Sequence, residues 1–134
     1  MAPVVKWNPS FSVGHPTLDE QHLELLDLIN RLADCIDDDA PAARERFHSV
    51  LNDLSDRARD HFRTEQYVLS RWNDTLLQGQ QSEYEEYEDR LTNYLFSATF
   101  GTIDKVGLCQ YLVDWWSKHM LDMAAQLRTA EKGT

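Results

Sequence analysis

The sequence of 134 residues lacks the features that mark secreted, membrane-spanning or nucleic-acid-binding proteins. Its two cysteines, Cys35 and Cys109, are too few for a disulfide scaffold and too far apart for a zinc knuckle. No apolar run approaches the ~20 residues that cross a bilayer. Lysine and arginine form no cluster in a chain with a formal charge of −10, so neither nucleic acid nor an anionic membrane is expected as a partner.

The start of the chain also lacks a basic segment followed by an unbroken apolar one, so we expect a cytoplasmic protein. Free, buried thiols are therefore predicted for Cys35 and Cys109, because cytoplasmic proteins rarely keep structural disulfides. Helix geometry displaces both cysteines toward the same end of the fold described below, where they can approach each other.

Strand signals and signs of a second domain are also missing. No alternating β-branched run with a tight glycine turn occurs, and no repeat or change of composition divides the chain. Three of the four prolines lie in residues 1–16. We therefore expect a single domain over residues 1–134, with an extended N-terminal arm over residues 1–17 whose Trp7, Phe11 and Val13 are available to pack against the rest.

Apolar residues recur at three- and four-residue spacing in four segments. The first segment is predicted to start near Leu18, because Thr17 and Glu20 have the spacing of a capping box. A second begins at Pro41, a third follows a break around "RWNDT", and the last stripe runs from Val106 to Leu127. Four amphipathic helices with short connections predict an all-α, antiparallel, up-down-up-down four-helix bundle over residues 18–128.

Residues of the metal-ligand type interrupt three of these apolar stripes. His61 and Glu65 in "HFRTE" are four residues apart, so they lie over one another on the second helix. Alone, the pair is either a half-exposed hydrogen-bonded pair or part of a metal site. In an up-down bundle, His22 near the start of the first helix and His119 late in the fourth fall at the same end as this pair.

We therefore expect these four residues to meet in one interior layer and to bind a metal ion. An ionised glutamate buried without compensation loses several kcal/mol of solvation, and a cation supplies that compensation. Imidazole and carboxylate ligands suit iron or zinc. The two other histidines, His15 in the arm and His48 beside the second stripe, are expected at the surface.

The segments "VGHPTLDEQH", "HFRTE" and "LVDWWSKH" resemble the hemerythrins, particularly the single-domain bacterial hemerythrin-like proteins. The resemblance extends from about Trp7 to Leu127. It implies a four-helix bundle with two irons, held by five histidines and bridged by one glutamate and one aspartate. It further implies reversible binding of O₂ at the iron that keeps an open position.

The resemblance places four of the seven family ligands in this chain. It assigns His22 and His61 to the oxygen-binding iron, Glu65 to the bridge and His119 to the other iron. The remaining three family positions carry residues of other types, namely Gln80 and Tyr84 in place of the third-helix histidines and Ala124 in place of the bridging aspartate.

With these departures, a site for one metal is more strongly predicted than the two-iron centre of the family. Asp122, three residues after His119, is a candidate to replace the bridge, and Gln80 and Tyr84 are expected to line the pocket. Tyr84 either adds a phenolate ligand or, as we favour, fills space with its hydroxyl hydrogen-bonded to Glu65.

The function expected from the sequence is metal binding, with iron as the first choice, zinc as the second, and one or two ions. The protein is expected to respond to oxygen or redox state, with O₂ or another small diatomic molecule as its ligand. The alternative is a metal-free bundle with a structural or protein-interaction role. Catalysis is not expected, because no acid-base pair, nucleophile constellation or phosphate loop can be recognised beyond the ligands.

Overall fold

The computed structural model describes residues 5–38 and 40–132, with side chains described up to residue 127. A short 3-10 turn at Pro9–Phe11 precedes four α-helices. These are α1 (Pro16–Ala33), α2 (Pro41–Ser70), α3 (Asp74–Thr99) and α4 (Lys105–Lys132). The described residues contain no strand, so the prediction of an all-α chain is confirmed.

The four helices pack in a ring, with α1 and α3 each lying against both α2 and α4. Contacts between the start of one helix and the end of its neighbour show the relative directions of the helices. His22, near the start of α1, contacts Glu65 near the end of α2, and Gln80 near the start of α3 donates a hydrogen bond to Gln126 near the end of α4. Neighbouring helices therefore run antiparallel, as the sequence predicts.

The N-terminal arm is bound to the bundle rather than free of it. Asn30 of α1 accepts a hydrogen bond from the Val5 amide at 3.0 Å and donates one to the Val5 carbonyl at 2.7 Å. Phe11 is buried, and its ring lies edge-on to the ring of Trp7 with 5.7 Å between the centroids. The predicted packing of the arm is thus confirmed for residues 5 onward, and residues 1–4 lie outside the described part of the chain.

The predicted start of α1 is wrong by two residues, and the predicted capping box does not form. The helix begins at Pro16, and His15 is its N-cap, with Nδ1 accepting a hydrogen bond from the Leu18 amide at 3.3 Å. Proline suits the first helical position because it has no N–H to satisfy. Thr17 and Glu20 consequently both lie inside the helix, where their side chains are exposed.

The stripe predicted for α4 is wrong at its first residue. Val106 is 60% exposed, because it lies in the first turn of α4 and points away from the neighbouring helices. Burial begins at Leu108 and continues through Leu112 and Trp116 to Leu127. The predicted inward-facing stripe of α4 is therefore correct from Leu108 onward.

Both cysteines are buried free thiols, as expected. They belong to the same hydrophobic cluster. Burial, together with a smaller contribution from Cys35, raises the pKa of the Cys109 thiol to about 11. Because the thiolate is the reactive form, this shift disfavours reaction of Cys109 at neutral pH in the folded protein.

None of the described helices contains an apolar stretch long enough to cross a lipid bilayer. Each helix instead buries one side and exposes the other, as expected from its amphipathic pattern.

Candidate metal centre

Three helices bring four ligand-type side chains to one point inside the bundle. His22 comes from the second turn of α1, His61 and Glu65 from consecutive turns of α2, and His119 from α4. Each is at most 2% exposed. One potential ligand atom from each residue lies within 4.8 Å of those from the other three. The structure therefore brings together the four residues that the sequence analysis predicts as metal ligands.

The three imidazole rings converge on a single oxygen of Glu65. Oε1 of the carboxylate lies 3.2 Å from Nε2 of His22 and 2.9 Å from Nε2 of His119. Nε2 of His61 also contacts Oε1, but it forms no hydrogen bond there. Three nitrogens of the type that ligates metals thus surround one carboxylate oxygen. This oxygen has too few lone pairs to accept a hydrogen bond from each of them.

The second oxygen of Glu65 has a different partner. Oε2 accepts a hydrogen bond from the hydroxyl of Tyr84, which lies on α3 and is buried. Of the two roles considered for Tyr84, the structure shows the one favoured from the sequence, in which the hydroxyl is bonded to Glu65. Both carboxylate oxygens are therefore engaged, one by the histidines and one by the tyrosine.

The cluster holds polar atoms without partners in the described part of the chain. These are Nδ1 of His22, Nδ1 of His119 and Nε2 of His61. A buried polar atom without a hydrogen bond costs roughly 1–3 kcal/mol. The protein alone therefore leaves the cluster incompletely satisfied, with His61 Nε2 in contact with Glu65 Oε1 but without a hydrogen bond.

Electrostatics favour the protonation states that bind metals. Burial pushes the pKa of Glu65 upward, but attraction to His119 and His61, together with hydrogen bonds to His119 and His22, outweighs it and holds that pKa well below its usual range. Burial lowers the pKa of His22 to about 4, against a smaller opposing effect of the bond to Glu65. At neutral pH the cluster thus combines an ionised carboxylate with a neutral His22 ring, and these are the ligating forms.

Aromatic rings enclose the cluster on the side of α4. The ring of Phe62 stacks on Trp116 with 5.4 Å between centroids, and Trp115 stacks on His119 at 4.9 Å. Trp116 is fully buried and lies 5.6 Å from the ring of His61. The four ligand-type residues are themselves buried, so charges and dipoles in the cluster interact more strongly than they would at the surface.

The remaining predicted pocket residues are in different places. Gln80 is buried one turn before Tyr84 and donates to Gln126 at 3.2 Å, while its Oε1 has no partner among the described residues. Asp122 is not among the four residues whose ligand atoms converge. Its half-buried side chain, 39% exposed, accepts a hydrogen bond from Lys118 at 2.7 Å and lines a pocket beside His119.

Two residues beside the cluster were not foreseen from the sequence. Gln21 precedes His22 on α1, and Thr64 precedes Glu65 on α2. Both are half-buried, and Gln21 joins the two helices by hydrogen bonds to His61 and Thr64. Their positions next to ligand-type residues were the available signal, but helical spacing alone does not show which neighbours cross to another helix.

The model of the hemerythrin HHE cation-binding domain matches residues 13–128 of the chain. This match covers most of the sequence, so the chain belongs to the hemerythrin family, as its resemblance to that family indicated. No curated protein matches the chain significantly. The family assignment and the buried cluster together support a cation site made by the four convergent residues.

The lowered pKa of His22 predicts that the metal-free protein loses stability as the pH falls. The unfolded chain takes up this proton below its ordinary pKa of 6.5, but the folded chain does so only below about 4. The free energy of unfolding should therefore drop by about 2 kcal/mol between pH 7 and pH 5 on account of this residue. The lowered pKa of Glu65 also reduces the free energy of unfolding as the pH falls, but only below about pH 4.5.

Urea unfolding of chelator-treated protein at pH 7, 6 and 5 measures this effect. The His22→Leu variant lacks the titrating ring, so its stability should fall less over the same interval. Equal losses in the wild-type and variant proteins would show that His22 does not resist protonation in the folded state.

Proposed function

We propose that this protein binds one metal ion through His22, His61, Glu65 and His119. The observation that carries the proposal is the convergence of three Nε2 atoms on one buried carboxylate oxygen, with four ligand atoms within 4.8 Å of one another. Three imidazoles and one carboxylate are chemically suitable for iron or zinc. We take iron as the expected metal because of the family, and zinc as the alternative.

The surroundings of Glu65 favour one ion over two. A bridging carboxylate needs a free oxygen for each metal, but Oε2 here is occupied by the Tyr84 hydroxyl. Beyond this oxygen, Gln80 and Tyr84 supply no imidazole, and Ala124 supplies no carboxylate. His119 is the one family ligand left for a second iron, and it already lies beside Oε1 with the other two histidines.

The proposed role is that of a binding protein that responds to oxygen or redox state. Iron, when bound, would supply a redox-active centre, and O₂ or another small diatomic molecule is the ligand we propose for the iron form. This chain's own residues hold the metal, and the buried rings of Trp116 and Phe62 shield His61 from bulk water. A binding role without catalysis and a cytoplasmic location stay predictions from the sequence.

A metal-free bundle with a structural or interaction role is the second candidate. It is favoured by the hydrogen bonds that Glu65 already makes to Tyr84, His22 and His119, which satisfy much of the carboxylate without a cation. In that case, chelation should leave the melting temperature unchanged, and purified protein should contain no stoichiometric metal.

Anaerobic calorimetric titration of chelator-treated protein with Fe²⁺, and separately with Zn²⁺, distinguishes these candidates. We expect saturation at one ion per chain. A ligand present at a hundred times its dissociation constant stabilises the folded state by about 2.7 kcal/mol, so the melting temperature should rise by roughly 10 °C. No heat of binding and no thermal shift with either metal would contradict the proposal.

A further inference from the structure

A chain of three hydrogen bonds leads from the ring of His61 to the backbone of α2. Nδ1 of His61 lies 2.8 Å from Oε1 of Gln21. Nε2 of Gln21 donates to Oγ1 of Thr64 at 3.1 Å, and the Thr64 hydroxyl donates to the Asp60 carbonyl at 3.0 Å. The chain starts at a proposed metal ligand and ends at a backbone group one turn before Thr64.

The last acceptor fixes the direction of every hydrogen bond in this chain. A carbonyl oxygen has no proton, so the Thr64 hydroxyl donates to Asp60 and its oxygen remains free to accept. The amide NH₂ of Gln21 then donates to Thr64, which turns its carbonyl oxygen toward His61. A carbonyl oxygen can only accept, so Nδ1 of His61 must carry a proton.

We infer that Gln21 and Thr64 are positioning residues that fix the tautomer of His61 and thereby present the Nε2 lone pair to the metal. This inference rests on the proposed function, because it assigns these residues to the same site. A neutral imidazole has one N–H, so a proton held on Nδ1 leaves Nε2 able to ligate. Partners of this kind orient ligating histidines, and their loss typically lowers metal affinity by about 10–100-fold.

We call the hydrogen-bond chain through Gln21 and Thr64 the Gln21–Thr64 relay. Comparison with His22 and His119 shows its effect on His61. Their atoms without partners in the described structure are Nδ1 of His22 and Nδ1 of His119, whereas for His61 the corresponding atom is Nε2. His61 is therefore the ring whose Nδ1 is already hydrogen-bonded and whose Nε2, in contact with Glu65 Oε1, makes no hydrogen bond. The relay also ties α1 to α2 beside the site, which fixes the direction of the His61 ring.

Nitrogen NMR of the histidine rings tests the relay directly in metal-free protein at pH 8, where a free imidazole is neutral. In the wild type, the neutral ring of His61 should carry its proton on Nδ1. The Gln21→Leu variant removes the acceptor, and Thr64→Val removes the group that orients the amide. Both variants should shift His61 toward the form protonated on Nε2, and both should weaken Zn²⁺ binding by about 10–100-fold.

Three further variants separate positioning from damage to the fold. Gln21→Glu keeps an acceptor for Nδ1–H, so it should restore the wild-type tautomer and most of the affinity. Gln81→Leu and Thr17→Val make matched changes at exposed positions on α3 and α1, and both should behave as wild type. Thr64→Val changes the fewest atoms, so it keeps the test valid if Gln21→Leu fails to fold.

The outcomes also separate this inference from the proposed function. A wild-type His61 protonated on Nε2, or relay variants with unchanged tautomer and affinity, would overturn the relay while leaving one-metal binding intact. Absence of metal binding in the wild type would refute the proposed function. The relay would then stand or fall on the tautomer measurement, which needs no metal.

Discussion

Replacing His61 by alanine is expected to remove most of the bound metal, whereas replacing His48 by alanine should leave the metal content unchanged. His61 contributes one of four ligand atoms in the buried cluster, and its Nε2 is the atom without a hydrogen bond of its own. His48 lies on the same helix but is exposed. Because loss of a supporting partner alone costs about 10–100-fold in affinity, loss of the ligand itself should cost more.

Metal analysis after dialysis against a weak chelator measures this difference, and circular dichroism confirms that both variants are folded. His61→Gln is a useful second variant because it fills more of the vacated space. If His61→Ala and His48→Ala retain equal amounts of metal, the ion is bound elsewhere and the site assignment fails.

A second large effect is expected from Gln80→His, Tyr84→His and Ala124→Asp made together. These changes restore the ligand types that the family resemblance implies at the three divergent positions. Gln80 and Tyr84 are buried on the face of α3 that looks toward the cluster, and Ala124 is buried on α4. The triple variant should bind two irons per chain, and should show visible absorption that depends on O₂, which the wild type should lack.

Single changes should do much less, because a second iron needs several ligands at once. Tyr84→His alone frees Oε2 of Glu65 from its hydrogen bond but supplies only one new nitrogen. Ala124→Asp alone buries a carboxylate, which costs stability unless a cation compensates it. A stable triple variant that still binds one iron or none would show that these positions do not converge on a second site.

Much of the fold and the core of the candidate site follow from helical periodicity. Apolar spacing places His22, His61, Glu65 and His119 on inward faces, and alternating helix direction brings them to the same end of the bundle. These two facts need no information about contacts between helices. Clustering of the four residues was therefore predictable from the sequence.

The details that the sequence did not reveal depend on local geometry. At the start of α1, a proline occupies the first helical position, so the N-cap is His15 and not Thr17 as predicted. Asp122 lies only three residues from His119, but its carboxylate is bonded to Lys118 and is not among the convergent ligand atoms. Gln21 is bonded across two helices, and such a contact depends on interhelical distance, which periodicity does not encode.

The central claim is one metal ion held by three histidines and one glutamate, and X-ray absorption at the metal edge tests it most directly. In metal-saturated protein we expect a single shell of nitrogen and oxygen ligands, at about 2.0–2.2 Å for zinc, with multiple scattering from about three imidazoles. Metal analysis of the same sample should give one ion per chain. A second metal at about 3.5–4 Å, with two ions per chain, would contradict the account.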